Sequence, residues 1–224
     1  VHLVDRNMLL LESLGIESST KEGPVLYSES QDILAVKEML GEYTRPIWVL
    51  NVGNASPSRY HGELIYTRGW GEKNIRCLAE RVLQQMDVEL CLLGGPDEQH
   101  YREVLVDLCT QPHVHEFIGR LSIGQSVALA QLAELVIGVD TGMQHIADAV
   151  GTYTVSIFGP TNPKTHGAYS SKAVFVQHLV ECQYCYTRED YYTCKDRRCL
   201  QEITVDDVLE TITSVTNGIS KNYR

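Results

Sequence analysis

A short run of acidic, hydroxyl and small residues follows an apolar stretch in the middle of the sequence. Asp140-Thr141-Gly142 come directly after the apolar run 135–139. A buried strand that ends here and opens a helix presents backbone N–H groups and a positive helix end, which suit a diphosphate. Gly142 leaves room for a ligand, and the Asp140 carboxylate can accept hydrogen bonds from sugar hydroxyls. The residues alone leave an alternative, in which Asp140 or Thr141 only caps the helix and His145 is an ordinary half-buried histidine.

Four of the seven cysteines are clustered, with the spacing Cys182-x2-Cys185-x8-Cys194-x4-Cys199. Four thiolates that converge from two short turns suit a structural zinc or iron ion. A disulfide pair and free thiols are the alternatives. The first residues do not resemble a secretion signal, so we expect a reducing compartment, which favours metal or free thiols. The other three cysteines lie in apolar or helical segments and are predicted to be buried free thiols: Cys77, Cys91 and Cys109.

The composition is typical of a globular protein. The chain has 224 residues, of which 43% are hydrophobic and 21% charged, and this argues against extensive disorder. Its 19 basic and 29 acidic residues give a net charge of −10, which argues against nucleic-acid binding. Apolar runs are all much shorter than the ~20 residues of a membrane-spanning helix. We therefore expect a cytoplasmic protein, with peripheral association at the inner membrane as an alternative.

The segments that must position these residues alternate between strands and helices. Continuous apolar runs predict buried parallel strands, and apolar residues spaced i, i+3, i+4 and i+7 predict helices. Single helices between successive strands imply an α/β, Rossmann-like parallel sheet with helices on both faces, whose ligands bind at the carboxyl ends of the strands. The strands are predicted at 47–51, 88–93, 114–118, 135–139, 153–158 and 174–176, and the main helices at 72–86, 97–108, 122–133, 142–150 and 205–215.

Further motifs stand at the predicted strand ends. Their order and spacing, together with Asp140-Thr141-Gly142, resemble glycosyltransferase family 9, the ADP-heptose:lipopolysaccharide heptosyltransferases. The likeness covers nearly the whole chain. It is carried by Gly138-Val139-Asp140-Thr141-Gly142 with His145, by Phe158-Gly159-Pro160-Thr161-Asn162-Pro163, by Gly94-Gly95-Pro96-Asp97-Glu98, by Ile118-Gly119 and Leu121-Ser122, and by Cys199-Leu200-x-x-Ile203.

The resemblance implies the C-terminal lobe of a GT-B glycosyltransferase. In that architecture this lobe holds the nucleotide-sugar donor, and an N-terminal lobe of the same enzyme receives the acceptor and supplies the catalytic base. Inverting transfer then needs no metal or other cofactor. We accordingly expect a bridging helix and linker at 1–40, a Rossmann-like domain at 41–180, a cysteine knuckle at 181–200 and a C-terminal helix at 201–224. No catalytic residue is assigned to this chain.

The resemblance also implies roles for single residues. Asp140 would contact the donor sugar or its phosphates, Thr141 and Gly142 would offer N–H groups to the diphosphate, and His145 would line the same pocket or orient the helix start. Asp97 or Glu98 would bind the ribose, the alternative being a helix cap. The remaining donor-binding residues implied are Leu121 and Ser122 beside the base and Ser56 in the small-residue loop 53–56.

One departure from the family pattern concerns the segment after the first strand. The family's Lys-x-Trp is replaced by Arg68-Gly69-Trp70, and the stretch 57–67 before it is unusually long. A guanidinium suits phosphate bidentately, so Arg68 would replace the lysine, with Arg59 as a competitor. Trp70 is interpreted as a packing anchor, with a stacking platform as the alternative.

The resulting prediction is the donor-binding half of an inverting glycosyltransferase. It would move a heptose-like sugar from a nucleoside diphosphate, ADP-heptose first, to a lipopolysaccharide core or to another glycan, lipid-linked or protein acceptor. The alternative is a non-catalytic nucleotide- or sugar-binding module. A nicotinamide-dependent enzyme is disfavoured, because no Gly-x-Gly-x-x-Gly follows the first strand.

Overall fold

The computed structural model describes residues 1–16, 23–53, 58–60, 63–65, 68–188 and 191–222. Within these ranges the chain forms a central parallel sheet and a separate two-stranded antiparallel hairpin. Six of the strands lie in the central sheet in the order β5-β4-β1-β6-β7-β8. The strands are β1 (Ile47–Asn51), β2 (Ser58–Tyr60), β3 (Glu63–Ile65), β4 (Glu89–Gly94), β5 (Val114–Ile118), β6 (Leu135–Val139), β7 (Tyr153–Phe158) and β8 (Ala173–Gln177).

Helices cover both faces of the central sheet, because successive strand side chains point to opposite faces. Trp48 and Leu50 of β1 pack into the core cluster that contains apolar residues of α3 and α9. Ile47 and Val49 pack into the cluster that contains apolar residues of α2, α5 and α6. The helices are α1 (Leu3–Ser13), α2 (Ser30–Leu40), α3 (Glu72–Gln85), α4 (Tyr101–Val104), α5 (Ile123–Leu132), α6 (Gly142–Ala149), α7 (Pro163–His166), α8 (Arg198–Gln201) and α9 (Val205–Asn222).

The strand order contains one point at which the direction of winding reverses. From β1 the chain winds outward through β4 to β5, then returns to place β6 on the other side of β1. A gap between helices opens at the carboxyl ends of the two strands that flank such a point, and ligands of open α/β sheets bind there. The predicted Rossmann-like α/β fold is therefore confirmed, and the residues that end β1 and β6 meet at this point.

The helix predicted at 97–108 is wrong. The chain forms instead a 3-10 turn at Pro96–Glu98, the single turn α4, and a second 3-10 turn at Leu108–Thr110. Arg76 of α3 donates a hydrogen bond to the carbonyl oxygen of Val104 at 2.6 Å, and Leu108 N–H bonds to Leu105 O instead. A side chain from another helix thus occupies the Val104 carbonyl oxygen, to which the N–H of Leu108 would bond if the helix continued.

The segments at the two ends of the chain differ in how they pack. α2 contributes Val36 and Leu40 to the core, whereas α1 has no buried residue. His2 Nε2 lies 2.9 Å from the carbonyl oxygen of Gly167, which joins the start of α1 to the sheet domain. The proposed boundaries of the bridge and the knuckle stay predictions. No helix among the described residues combines the length and the apolar character of a membrane span.

The hairpin β2–β3 occupies part of the long stretch between β1 and α3, where the sequence analysis placed no strands. Ser56 and the side chain of Arg59 lie outside the described part of the chain. Their predicted roles therefore stay predictions.

Candidate functional site

A cavity of about 390 Å³ lies at the carboxyl edge of the sheet, beside the point where the winding reverses. The last residue of β1 and residues that follow β4, β5 and β6 contribute to its wall, as expected from the parallel topology. The wall has a polar side and an apolar side. It is formed by Asn51, Leu93, Gly94, Gly95, Pro96, Asp97, Glu98, Leu121, Ile123, Ser126, Thr141, Gly142, Met143 and Ile146.

The polar side includes the start of α6. Thr141 occupies the N-cap position, but its side chain makes no capping hydrogen bond to the helix. Its hydroxyl instead accepts a hydrogen bond from Asn51 Nδ2 at 3.3 Å, across the reversal point. Gly142 borders the cavity, and a Cβ added there would have no atom within 4 Å. The first N–H groups of α6 therefore lack a side-chain cap, which suits them to bind an anion.

Glu98 is held at a second point of the polar side. One of its oxygens, Oε2, accepts a hydrogen bond from the N–H of Gly95 at 2.6 Å, which fixes the side chain over the turn after β4. A Cβ on Gly53 would come within 1.8 Å of the Glu98 carboxyl carbon, so the β1 loop approaches Glu98 closely only because residue 53 is glycine. Asp97 borders the same cavity and is exposed, whereas Glu98 is buried. Both predicted acids thus lie at the site, and Glu98 is the more rigidly placed.

The apolar side is formed by the starts of α5 and α6. Leu121, Ile123, Met143 and Ile146 face the cavity, and Ile123 is 80% exposed. An exposed isoleucine at a cavity mouth supplies apolar surface that a flat, weakly polar group such as a nucleobase can cover. Ser122 makes a different contribution. Its Oγ accepts the N–H of Gln125 at 3.1 Å, and its N–H donates to Gln125 Oε1, so its hydroxyl caps α5.

Arg68 and Asp140 form an ion pair beside the cavity. Arg68 Nη1 lies 3.5 Å from Asp140 Oδ2, and Asp140 is only 6% exposed. The geometry is that of an ion pair and not of a hydrogen bond, because Oδ2 has no hydrogen-bond partner among the described residues. A buried carboxylate oxygen without such a partner carries a desolvation penalty, which a donated hydrogen bond from a ligand would offset.

His145 lies on the other side of α6 from the main cavity. It borders a smaller cavity of about 240 Å³ whose wall includes Val4, Leu26 and Tyr169. Desolvation by the surrounding protein atoms lowers the pKa of His145, although the charges of Asp140 and Asp148 act in the opposite direction. His145 is therefore near Asp140 but is not among the described residues that line the 390 Å³ cavity.

The clustered cysteines are close enough to influence one another, and all seven cysteines of the chain are free. Burial raises the pKa of Cys199 to about 11, and the charges of Cys185, Cys194 and Cys182 act in the same direction. Cys194 Sγ donates a hydrogen bond to Asp196 O at 3.0 Å, which requires a protonated thiol. In the described ranges, no group of three or more His, Cys, Asp or Glu side chains has the arrangement of a metal site. The donor types suit zinc or iron, but their positions do not form a cage.

Most of the predicted site residues do converge. Thr141, Gly142, Asp97, Glu98 and Leu121 border the cavity, and Arg68 and Asp140 pair beside it. Ser122 and His145 are adjacent but face elsewhere. The sequence analysis gave no donor role to nine lining residues, which occupy the ends of β1 and β4, the turn after β4 and the first two turns of α5 and α6: Asn51, Leu93, Gly94, Gly95, Pro96, Ile123, Ser126, Met143 and Ile146. Their position next to strand ends was the available signal.

Comparisons with known proteins bear on the family and the fold of the chain. The family model described as "Glycosyltransferase family 9 (heptosyltransferase)" matches residues 1–195. Lipopolysaccharide heptosyltransferase 1 of Pseudomonas aeruginosa is 31% identical over 140 residues, which is 62% of this chain and 39% of that protein. The aligned part thus spans well under half the length of this curated relative.

Two solved structures share the fold. The family 9 glycosyl transferase of Veillonella parvula has a TM-score of 0.78 and 20% identity, over 96% of this chain and 59% of that chain. An iron-containing heptosyltransferase, TibC, solved in complex with ADP-D-beta-D-heptose, has a TM-score of 0.58 and 15% identity, over 80% of this chain and 47% of that chain. At these identities the likeness is one of fold.

Proposed function

Since the chain belongs to glycosyltransferase family 9, we propose that it forms the donor-binding half of an inverting heptosyltransferase. The donor is a nucleoside diphosphate sugar, and ADP-heptose is the first candidate. The acceptor is a lipopolysaccharide core sugar or another glycan, lipid-linked or protein hydroxyl. The proposal draws on a relative named as a lipopolysaccharide heptosyltransferase and on a structure of the same fold solved with ADP-heptose.

The observation that carries the proposal is the uncapped start of α6 at the cavity. Its N–H groups and the Arg68 guanidinium are the positive groups that a diphosphate needs, and they stand on the same edge of the sheet. The buried Glu98 carboxylate can accept hydrogen bonds from ribose hydroxyls, and the apolar side can cover the base. These groups, in the cavity and beside it, offer a contact to each part of a nucleoside diphosphate.

Asp140 and Arg68 act on different parts of the donor. The unpartnered Oδ2 of Asp140 accepts a hydrogen bond from a hydroxyl of the donor sugar. As the acceptor hydroxyl attacks the anomeric carbon, the bond from that carbon to the diphosphate oxygen breaks, and negative charge develops on the leaving diphosphate. Arg68 and the N–H groups of α6 stabilise this charge. The base that removes the acceptor proton belongs to an upstream lobe of the same enzyme.

Two observations support a further lobe. The solved relative from Veillonella parvula is longer, since the alignment covers 96% of this chain but 59% of that one. In addition, α1 leaves apolar side chains exposed, Leu9 at 53% and Leu10 at 63% among them. An apolar helix face of this kind is suited to pack against a second lobe.

Calorimetric titration with a panel of nucleotides tests the proposal. We expect the chain to bind ADP and ADP-heptose more tightly than UDP or NAD. Asp140→Ala should weaken ADP-heptose binding by about 1.5–3 kcal/mol, because a hydrogen bond to a charged acceptor is lost. The matched control is Asp107→Ala, which removes an exposed aspartate that pairs with Arg76 on the outer side of α3.

Two results would contradict the proposal. If a folded Asp140→Ala variant binds ADP-heptose as tightly as the unchanged chain does, Asp140 is not part of the donor site. Failure of the unchanged chain to bind any adenine nucleotide removes the donor function itself. Donor binding by the complete natural protein without transfer to any acceptor would instead support a non-catalytic nucleotide-binding module.

A further inference from the structure

Trp70 joins the segment that carries Arg68 to a distant part of the chain. Its indole Nε1 donates a hydrogen bond to the carbonyl oxygen of Ile203 at 2.9 Å, and the side chain is buried. Its own carbonyl oxygen accepts a hydrogen bond from Asn74 Nδ2 at 3.0 Å. Both the side chain and the backbone of Trp70 are therefore fixed in place.

The residues on either side of Trp70 make this anchor important. Trp70 stands between Gly69 and Gly71, and the backbone of Gly71 has φ = 99°, a conformation that favours glycine. Two glycines give this segment little conformational preference of its own. The position of Arg68, two residues before Trp70, therefore depends on how the indole is held.

Ile203, the partner of Trp70, belongs to a rigidly packed region. We call residues 182–188 and 191–203 the cysteine-bearing segment. Ile203 N–H donates to Leu200 O at 3.3 Å, and both residues are buried. Leu200 also packs on the loop after β7, since a Cβ on Gly159 would come within 2.5 Å of Leu200 Cγ. Gln183 Nε2 donates to the carbonyl oxygen of Gly159 at 3.2 Å, so the same segment supports that loop a second time.

The cysteine-bearing segment also reaches the donor side directly. Arg197 borders a cavity of about 400 Å³ together with Gly69, Gly71 and Glu98. Glu98 lines this cavity and the main cavity as well. The segment therefore lies behind both the Arg68 loop and the acid assigned to the ribose.

We propose that Trp70 is a positioning residue for the diphosphate site, through which the cysteine-bearing segment holds Arg68 against Asp140. The inference rests on the proposed function. It predicts that loss of the Trp70–Ile203 hydrogen bond weakens phosphate recognition and leaves nucleoside recognition unchanged. A role in stability alone would affect the two equally.

The experiment compares ADP with adenosine by calorimetry on the full chain. Trp70→Phe keeps an aromatic ring and removes the N–H donor. We expect its affinity for ADP to fall about five-fold, the effect of one hydrogen bond, with adenosine affinity unchanged. In an Arg68→Ala background, Trp70→Phe should have no further effect on ADP binding, because the group that Trp70 positions is absent.

The chain offers a matched control for the loss of a buried indole donor. Trp48 is also buried, and its Nε1 donates to Glu134 Oε1 at 3.3 Å, but β1 begins at Ile47, so Trp48 lies at the amino end of that strand, opposite the site. Trp48→Phe should leave the ratio of ADP to adenosine affinity unchanged. If Trp70→Phe fails to fold, the same comparison uses β-(3-benzothienyl)alanine at position 70, which keeps the shape of the indole without its N–H.

The outcomes separate the inference from the proposed function. If the unchanged chain binds ADP and Arg68→Ala weakens it, but Trp70→Phe binds ADP as tightly as the unchanged chain, the positioning role is overturned. An equal loss from Trp70→Phe with and without Arg68 also overturns it. If the unchanged chain binds no ADP, the proposed function fails, and the inference fails with it.

Discussion

The pairing of Arg68 with Asp140 decides how each residue acts. A carboxylate as buried as Asp140 would be costly without a cation, and the guanidinium at 3.5 Å supplies one without occupying Oδ2 by a hydrogen bond. Asp140 Oδ2 is therefore paired with a cation but has no hydrogen-bond partner among the described residues. The arginine, 29% exposed in its side chain, has donors left for a phosphate. In the proposed site, this one contact would prepare Asp140 for the sugar and Arg68 for the diphosphate of the donor.

Removal of Arg68 should separate phosphate binding from nucleoside binding. Arg68→Ala is expected to weaken ADP binding by about 1.5–3 kcal/mol, roughly ten- to a hundred-fold, and to leave adenosine binding unchanged. Calorimetry measures both. Arg81→Ala is the control, since Arg81 is also paired with an aspartate, Asp206, but lies on the outer face of α3. Equal losses for ADP and adenosine would show that Arg68 does not contact phosphate.

At the scale of elements, β1 and β6 and the helix after β6 form the site because small residues allow them to approach. A Cβ on Gly138 would come within 2.8 Å of Gln144 Nε2 and 3.0 Å of Asn51 Cβ. Gln144 in turn accepts a hydrogen bond from Ser156 of β7 at 2.9 Å through Oε1, which fixes α6 against the sheet. The start of α6 is thereby held beside the end of β1. The geometry of the anion site thus depends on a glycine within a strand.

Contacts between the start of β4 and the start of β5 predict that the stability of the protein depends on pH. Glu89 is 4% exposed and pairs with His113 Nδ1 at 3.0 Å and His115 Nε2 at 2.9 Å. Burial by itself would raise the pKa of Glu89, but the hydrogen bonds from His115 and His113 outweigh it, and the pKa is lowered. The neighbouring Cys91 thiol stays neutral, because burial and Glu89 both raise its pKa.

The lowered pKa sets the sign of the effect. The stabilisation by ionised Glu89 is complete above the usual carboxyl range, roughly pH 4–5, and is lost as the pH falls through the lower pKa of the folded protein. Glu89→Gln should therefore reduce the free energy of unfolding by about 1–3 kcal/mol at pH 7 and by much less near pH 3. Urea titrations at the two pH values measure this. Glu103 is exposed, so Glu103→Gln should leave the free energy of unfolding unchanged at both pH values. A loss from Glu89→Gln that is the same at both pH values would contradict the account.

The cysteine-bearing segment is the element whose chemistry stays a prediction. Burial is the main cause of the raised pKa of Cys199, and the charges of the other three cysteines add to it. The four side chains form no cage among the described residues, so a bound zinc or iron ion would require them to rearrange around it. Elemental analysis of protein purified without chelators tests the metal prediction, and zinc or iron in stoichiometric amount would show that the four side chains rearrange around an ion. Cys182→Ser with Cys185→Ser should abolish metal binding, and Cys77→Ser should not. Absence of both metals, with all four thiols titratable, would contradict the hypothesis.

At the scale of the molecule, the proposed function assigns donor binding to this cavity and the catalytic base to another lobe. Purified chain is therefore expected to bind ADP-heptose and to transfer no sugar to a lipopolysaccharide core acceptor. Transfer is measured by release of ADP over many equivalents of enzyme. Sustained release that depends on the acceptor would show that this chain carries its own base and would overturn the division of labour.

The sequence by itself determined the elements that local patterns specify. The strands at 47–51, 114–118, 135–139 and 153–158 have the predicted bounds. For β1 and β6 the reason is local, because fully buried parallel strands are near-continuous apolar runs, and these two runs end at Asn51 and before Asp140. Right-handed crossovers then place the ends of these strands on one edge. That argument was sufficient to bring Thr141, Gly142 and Glu98 to a common cavity.

Only the tertiary structure decided how side chains from distant segments share that edge. Arg76 ends α4 early by taking a carbonyl oxygen, and Asn51 engages the Thr141 hydroxyl, leaving α6 without a side-chain cap. Local propensity contains no term for a partner that is 28 or 90 residues away in the chain, so such contacts do not appear in any short pattern. For the same physical reason, the sequence marked Trp70 as an anchor without revealing that it is anchored to Ile203.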